Sequence, residues 1–174
     1  MKRPPISPNH PTRHQIVARN PTPPPTPTPS RTLHLVDIDN LLADPRVTDA
    51  RRIAFIFEAY RNAADYERGD HTVVATRCNP HHVLAVELGW PTARHCRRRG
   101  RDGADLVLLE EAGWAASSRR YDRVVLGSGD GIFLRAFDRL QEADISVDVV
   151  CRRQTIAHAL ESRAAGHVRY LKTG

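Results

Sequence analysis

Leu33-His34-Leu35-Val36-Asp37-Ile38-Asp39-Asn40-Leu41-Leu42 opens as an apolar run and then sets two carboxylates and an amide within four positions. The apolar part suits a strand buried on both faces, as in a parallel sheet. In open α/β sheets ligands bind in the crevice beyond the carboxyl ends of the strands. Asp37 falls where such a strand ends, so it is the first candidate site residue. Asp39 and Asn40 have an ordinary alternative role as caps of the next helix.

Outward from this stretch, strand-like and helix-like segments alternate. That pattern predicts a three-layer α/β/α sandwich with a central, mostly parallel sheet. Residues 49–66 carry Ile53, Ile56, Phe57, Tyr60 and Ala64 on one helical stripe. Residues 71–76 read as a strand, and Asn79-Pro80 starts a helix with a cap and a first-turn proline that Gly89 closes. A basic cluster follows as a loop or short strand. Beyond it the pattern predicts a helix over 102–116, a strand over 123–127, a helix over 130–143, a strand over 146–151, a helix over 155–165 and a short strand over 168–171.

Before all this lies a different kind of chain. Ten of the thirteen prolines fall in residues 1–30, ending in Pro21-Thr22-Pro23-Pro24-Pro25-Thr26-Pro27-Thr28-Pro29. Proline fixes φ and removes backbone donors, so this segment is expected to be a disordered, partly polyproline II tail ahead of one domain over 31–174. The chain carries a formal charge of +6, of which Lys2, Arg3, Arg13 and Arg19 place +4 in the tail. The remainder holds 22 basic and 20 acidic residues, nearly balanced but unevenly placed. Arg94, His95, Arg97, Arg98, Arg99 and Arg101 form one cluster, the electrostatic footprint expected for a polyphosphate backbone or, failing that, a solvated loop.

No apolar run approaches the roughly 20 residues of a membrane span, and residues 1–30 hold no apolar leader, so a cytoplasmic protein is expected. Cys78, Cys96 and Cys151 are odd in number and far apart, as reduced thiols are. Cys78, His81, His82, His95 and Cys96 are zinc-ligand types, but their spacing fits no closed four-ligand pattern.

Two further acids stand out. Asp105, in Gly103-Ala104-Asp105-Leu106-Val107-Leu108-Leu109, has Leu108, Leu109 and Ala112 as its helical neighbours, a lone carboxylate on an apolar face. Burying it ionised costs several kcal/mol unless a cation or donors compensate; at a hydrated helix start it would only favour the dipole. Asp130 follows the apolar run Val124-Val125-Leu126 and the turn Gly127-Ser128-Gly129. That again puts an acid at the carboxyl edge of the sheet, as ligand or helix cap. Three acids brought to one edge would raise each other's pKa unless a divalent ion balanced them. Hard oxygen donors suit Mg²⁺ or Mn²⁺, with which a bound water can attack phosphorus.

The order Val36-Asp37-Ile38-Asp39-Asn40, Gly103-Ala104-Asp105-Leu106 and Leu126-Gly127-Ser128-Gly129-Asp130 with Phe133 resembles the NYN domain, a branch of the PIN-like ribonuclease superfamily. The resemblance covers nearly all of residues 32–171. It implies a PIN-like fold and a metal-dependent ribonuclease whose metal-binding acids are Asp37, Asp105 and Asp130. Asn40 matches the family's amide after the first strand, and Ser128 its small hydroxyl residue before the third acid. Two positions depart from the family pattern. Ile132 stands where a further acid is usual, and Ala164-Ala165-Gly166-His167 where relatives often have another Asp; Asp39 is the carboxylate available to compensate.

The expectation is therefore an Mg²⁺- or Mn²⁺-dependent ribonuclease. Asp37, Asp105 and Asp130 would hold metal with Asp39, Asn40 and Ser128 assisting, and Arg97, Arg98, Arg99 and Arg101 would contact RNA. A non-catalytic RNA-binding or adaptor module on the same fold is the alternative that Ile132 favours. A haloacid dehalogenase-like phosphatase would use Asp37-Ile38-Asp39 similarly but needs a lysine, and only Lys2 and Lys172 exist. RNA is the expected partner, a membrane is not, and the sequence leaves open whether the chain forms a homo-oligomer.

Overall fold

The computed structural model describes residues 31–42, 44 and 46–172. The proline-rich tail expected over 1–30 lies outside the described residues. Six strands form one sheet: β1 Thr32–Asp37, β2 His71–Thr76, β3 Arg94–Arg97, β4 Arg123–Gly127, β5 Ser146–Cys151 and β6 Val168–Tyr170. Every neighbouring pair is parallel, in the order β3-β2-β1-β4-β5-β6. The helices are α1 Ile38–Leu42, α2 Ala50–Ala64, α3 Pro80–Gly89, α4 Gly103–Ser118, α5 Leu134–Glu142 and α6 His158–Arg163, with a 3₁₀ turn over Gly131–Phe133. Among the described residues no helix is long and apolar enough to cross a membrane.

All six residues of β1 are buried, and alternation sends them to two cores. Leu33 and Leu35 join Val124, Leu126, Leu108, Phe137 and Leu140 on the α4/α5 face. Val36 joins Val74, Val125, Ile53, Ile56, Tyr60 and Trp90 on the α2/α3 face. His34 is buried with its ring satisfied, Nδ1 at 3.0 Å from the Tyr60 hydroxyl and Nε2 at 3.1 Å from Asp70, as a buried polar group must be.

The strand order places the site. The chain lays down β1, β2 and β3 in one direction, then returns to set β4 on the other flank of β1. Between the carboxyl ends of β1 and β4 the connections diverge and leave a crevice, the topological switch point of a doubly wound sheet.

Some elements differ from the expected bounds for local reasons. Asp39 and Asn40 lie inside α1, a five-residue helix too short to show a period. α2 stops at Ala64 because Asp65 turns left-handed, φ 49°. The basic cluster splits: Arg94 to Arg97 pair with β2, while Arg98 to Arg101 lead into α4. α6 begins at His158, not at residue 155, since the Ala157 N–H donates to the Gly129 carbonyl at 2.8 Å and holds that segment against the β4 turn.

Candidate functional site

Asp37 ends β1 and is 6% exposed. Its Oδ1 accepts the Asn40 N–H at 3.2 Å and its Oδ2 accepts the Ser128 hydroxyl at 3.3 Å. The same hydroxyl oxygen accepts the Asp130 N–H at 3.2 Å, so Ser128 joins two acids from different strands. Asn40 completes the link, its Oδ1 accepting the Gly129 N–H at 3.0 Å. Only glycine fits at 129, because a Cβ there would sit 2.7 Å from the Thr155 carbonyl oxygen and 2.8 Å from Ile156 Cα. Asp130 is exposed at the rim, where one oxygen caps the 3₁₀ turn through the Ile132 N–H at 3.0 Å. Its capping role and its place beside Asp37 coexist.

Asp105 comes from the first turn of α4. That helix starts so close to the preceding loop that a Cβ on Gly103 would lie 2.1 Å from the Arg98 carbonyl oxygen. Glycine thus lets α4 approach the sheet edge and deliver Asp105 there.

Asp37, Asp39, Asn40, Asp105 and Asp130 line one cavity of about 340 Å³, together with Asp102, Arg77, Arg101, Ala104 and Thr155. Five carboxylates face two guanidinium groups. Burial, followed by the charges of Asp105 and Asp39, pushes the Asp37 carboxyl up to about 7, against the bonds from Asn40 and Ser128 that favour its anion. Asp105 is also raised, by burial first and then by Asp130, Asp102 and Asp39. The fold therefore holds negative charge here at a cost.

Asp39 differs from the other acids, since its oxygens are already engaged. Oδ1 faces His82 Nε2 at 2.8 Å and the Thr76 hydroxyl at 3.1 Å. Oδ2 accepts the Arg77 backbone N–H at 3.1 Å, with the Arg77 guanidinium 3.6 Å away.

The arginines expected to contact RNA separate. Arg101 lines the acidic cavity. Arg97 and Arg99 line a second cleft beside it with Cys78, Pro80, Leu84 and Glu87. Arg97 pairs with Glu87 at 3.4 Å and Arg98 with Glu110 at 2.7 Å. Sequence reasoning missed Arg77, Asp102, Thr155 and His82. Arg77 and Thr155 follow the carboxyl ends of β2 and β5, so the rule that selected Asp37 could have found them; His82 stood out in the sequence only as a zinc-ligand type, and nothing there marks it as the partner of Asp39.

The donor set is all oxygen and short of positive charge, which in chemistry fits a hard divalent cation. Among the described residues no three His, Cys, Asp or Glu side chains are grouped closely enough to enclose an ion by themselves. A site of one or two carboxylates that relies on water and substrate phosphate for the other positions is the arrangement magnesium prefers. Ile132, in place of a further acid, is 38% exposed beside the Asp130 turn. No lysine lines the cavity.

The family model of the NYN domain matches residues 31–171. No curated protein and no solved structure matches the chain.

Proposed function

We propose, because this chain belongs to the NYN domain family, that its acidic cavity is the active site of a ribonuclease working with Mg²⁺ or Mn²⁺. Membership itself points to a nuclease or RNA-related function. The observation that carries the finer reading is that Asp37, Asp105 and Asp130, far apart in the chain, line one cavity at the switch point of the sheet.

Asp37, Asp105 and Asp130 would hold the cation, one or two of them directly and the rest through its bound water; when bound it offsets phosphate charge and makes coordinated water more acidic. The chain's own groups do the positioning. Ser128 and Asn40 fix Asp37 against the β4 turn through the bonds at 3.3 and 3.0 Å. Arg101 and Arg77 stand on the rim, where a phosphate entering from solvent would meet them. Asp39 shapes the rim through His82 and Arg77 and takes no direct part in holding the ion.

Purified protein incubated with labelled single-stranded RNA and Mn²⁺ tests the proposal. Cleavage that EDTA stops, and that Asp37→Asn or Asp130→Asn abolishes while RNA is still bound, is the expected outcome. Ile132, and the absence of a closed trio of ligands among the described residues, favour a second reading, an RNA-binding adaptor. Binding without cleavage, unchanged by Asp37→Asn, would establish that reading and end the nuclease one.

A further inference from the structure

At the opposite, amino-terminal edge of the sheet lies a cleft of about 610 Å³ that the acidic site does not use. It is lined by Leu33 from β1, His71 from β2, Thr92, Arg94, and the aromatic rings of Trp114 and Tyr121. Trp114 is 43% exposed, unusual for so large an apolar surface, and its ring lies 6.0 Å from that of Tyr121 at 67°. His71 Nδ1 lies 2.8 Å from the Tyr121 hydroxyl, which fixes the second ring. Two rings held at an angle with donors at their margin make the kind of groove that receives polyproline II chains.

The chain carries such a ligand, and it leaves the fold at this spot. The backbone N–H of Arg31 donates to Asp122, next to Tyr121, at 2.9 Å, and the Asp122 N–H returns a bond to the Arg31 carbonyl at 3.0 Å. Two residues further back ends the run of residues 21–29, six prolines and three threonines. Such a run has carbonyls but almost no backbone N–H groups, so it gains from a surface that offers apolar rings together with donors, here the Thr92 hydroxyl and the guanidinium of Arg94, which is paired through one nitrogen with Glu111. Its length, about 3.1 Å per residue in polyproline II form, is ample to cross the cleft from an anchor at Arg31.

We propose that this cleft is a polyproline-binding site and that its occupant is the segment 21–29 of the same chain. Docking covers Trp114 and closes the amino-terminal edge of the sheet. The inference is independent of the nuclease reading, since the cleft and the acidic cavity lie at opposite ends of the strands.

Acrylamide quenching of tryptophan fluorescence on the full chain tests it, because Trp90 is wholly buried and quenching therefore reports on Trp114. A variant with Pro23, Pro24, Pro25 and Pro27 replaced by Ser should show several-fold stronger quenching than the parent. A synthetic peptide of residues 19–30 should restore protection saturably in that variant. The Trp114→Phe variant, which should lose the quenchable signal, verifies the reporter. Equal quenching in parent and serine variant would overturn the proposal. So would protection that grows with protein concentration, since the occupant would then be a second copy.

Discussion

Nε2 of His82 lies 2.8 Å from Oδ1 of Asp39, while Nδ1 of the same ring lies 2.5 Å from the carbonyl oxygen of Val47. A carbonyl and a carboxylate only accept, so this geometry favours the doubly protonated ring, with both nitrogens donating. The hydrogen bond that the ring donates to Asp39 accordingly raises the His82 pKa above its ordinary 6.5. Asp39 is thus held by His82 and Arg77. Asp39→Asn should lower stability by about 2 kcal/mol, the cost of a charge-assisted hydrogen bond. A raised histidine pKa contributes stability that is complete below 6.5 and is lost as pH rises through the folded value. The gap between parent and Asp39→Asn in urea unfolding should therefore be widest near pH 6 and shrink on the alkaline side.

Two residues earlier the same substitution should act in the other direction. The Asp37 carboxyl is pushed up to about 7 from an ordinary 3.8, so the unfolded chain gives up this proton first. The resulting penalty is absent below 3.8, grows as pH rises through that window and is complete above about 7, where it reaches at most about 4 kcal/mol. Asp37→Asn removes it. In EDTA at neutral pH the variant should melt at a higher temperature than the parent. Added Mn²⁺ should raise the parent's melting temperature by mass action and leave the variant's unchanged. A variant less stable than its parent in EDTA would show that Asp37 is a structural acid and not a strained ligand.

These opposite signs mark where the sequence was legible. That Asp37, Asp105 and Asp130 line one cavity was legible because Asp37 and Asp105 interrupt apolar runs and Asp130 follows the turn that ends one. The parallel sheet could be read because β1, β4 and β5 are near-continuous apolar runs. His82 could not be read. It sits on a helix between Asn79 and Val83 as a surface residue would, and only the packing of α3 against α2 brings it to Val47 and Asp39. The division of the arginines was hidden for a similar reason. Which of Arg97, Arg98 and Arg101 meets an acid depends on Glu87 and Glu110, residues on helices 10 and 12 positions away.

Gly129→Ala tests whether the site depends on the closeness of the β4 turn to the segment before α6. The new Cβ would stand 2.7 Å from the Thr155 carbonyl oxygen, and its nearest neighbours are all backbone atoms of Thr155 and Ile156, so no flexible group can yield. Overpacking of this kind costs about 1 to 3 kcal/mol. The displaced turn would also lengthen the Gly129–Asn40 bond and move Asp130 away from Asp37. Thermal unfolding should show the stability loss. Cleavage of RNA should fall further than the unfolded fraction at assay temperature explains; a loss that tracks unfolding alone would remove Gly129 from the site's machinery.

Arg101 and Arg98 are three residues apart in one loop, yet they should contribute unequally to RNA binding. Arg98 is committed to Glu110 at 2.7 Å, so a phosphate must first displace a carboxylate from it. Arg101 faces the cavity and forms no ion pair with another described residue, so its charge is available to the polyanion. Each phosphate contact on single-stranded RNA releases counterions and adds about 0.7 to the slope of log affinity against log salt. Arg101→Ala should reduce that slope by about one such step and weaken binding most at low salt. Arg98→Ala should change the slope less, because removing it also frees Glu110, which repels the backbone. Affinities measured over a salt series with Asp37→Asn as the background, so that the RNA stays intact, separate the two. Equal slopes for both variants would mean that the loop acts as diffuse charge, with no phosphate held at the mouth of the acidic cavity.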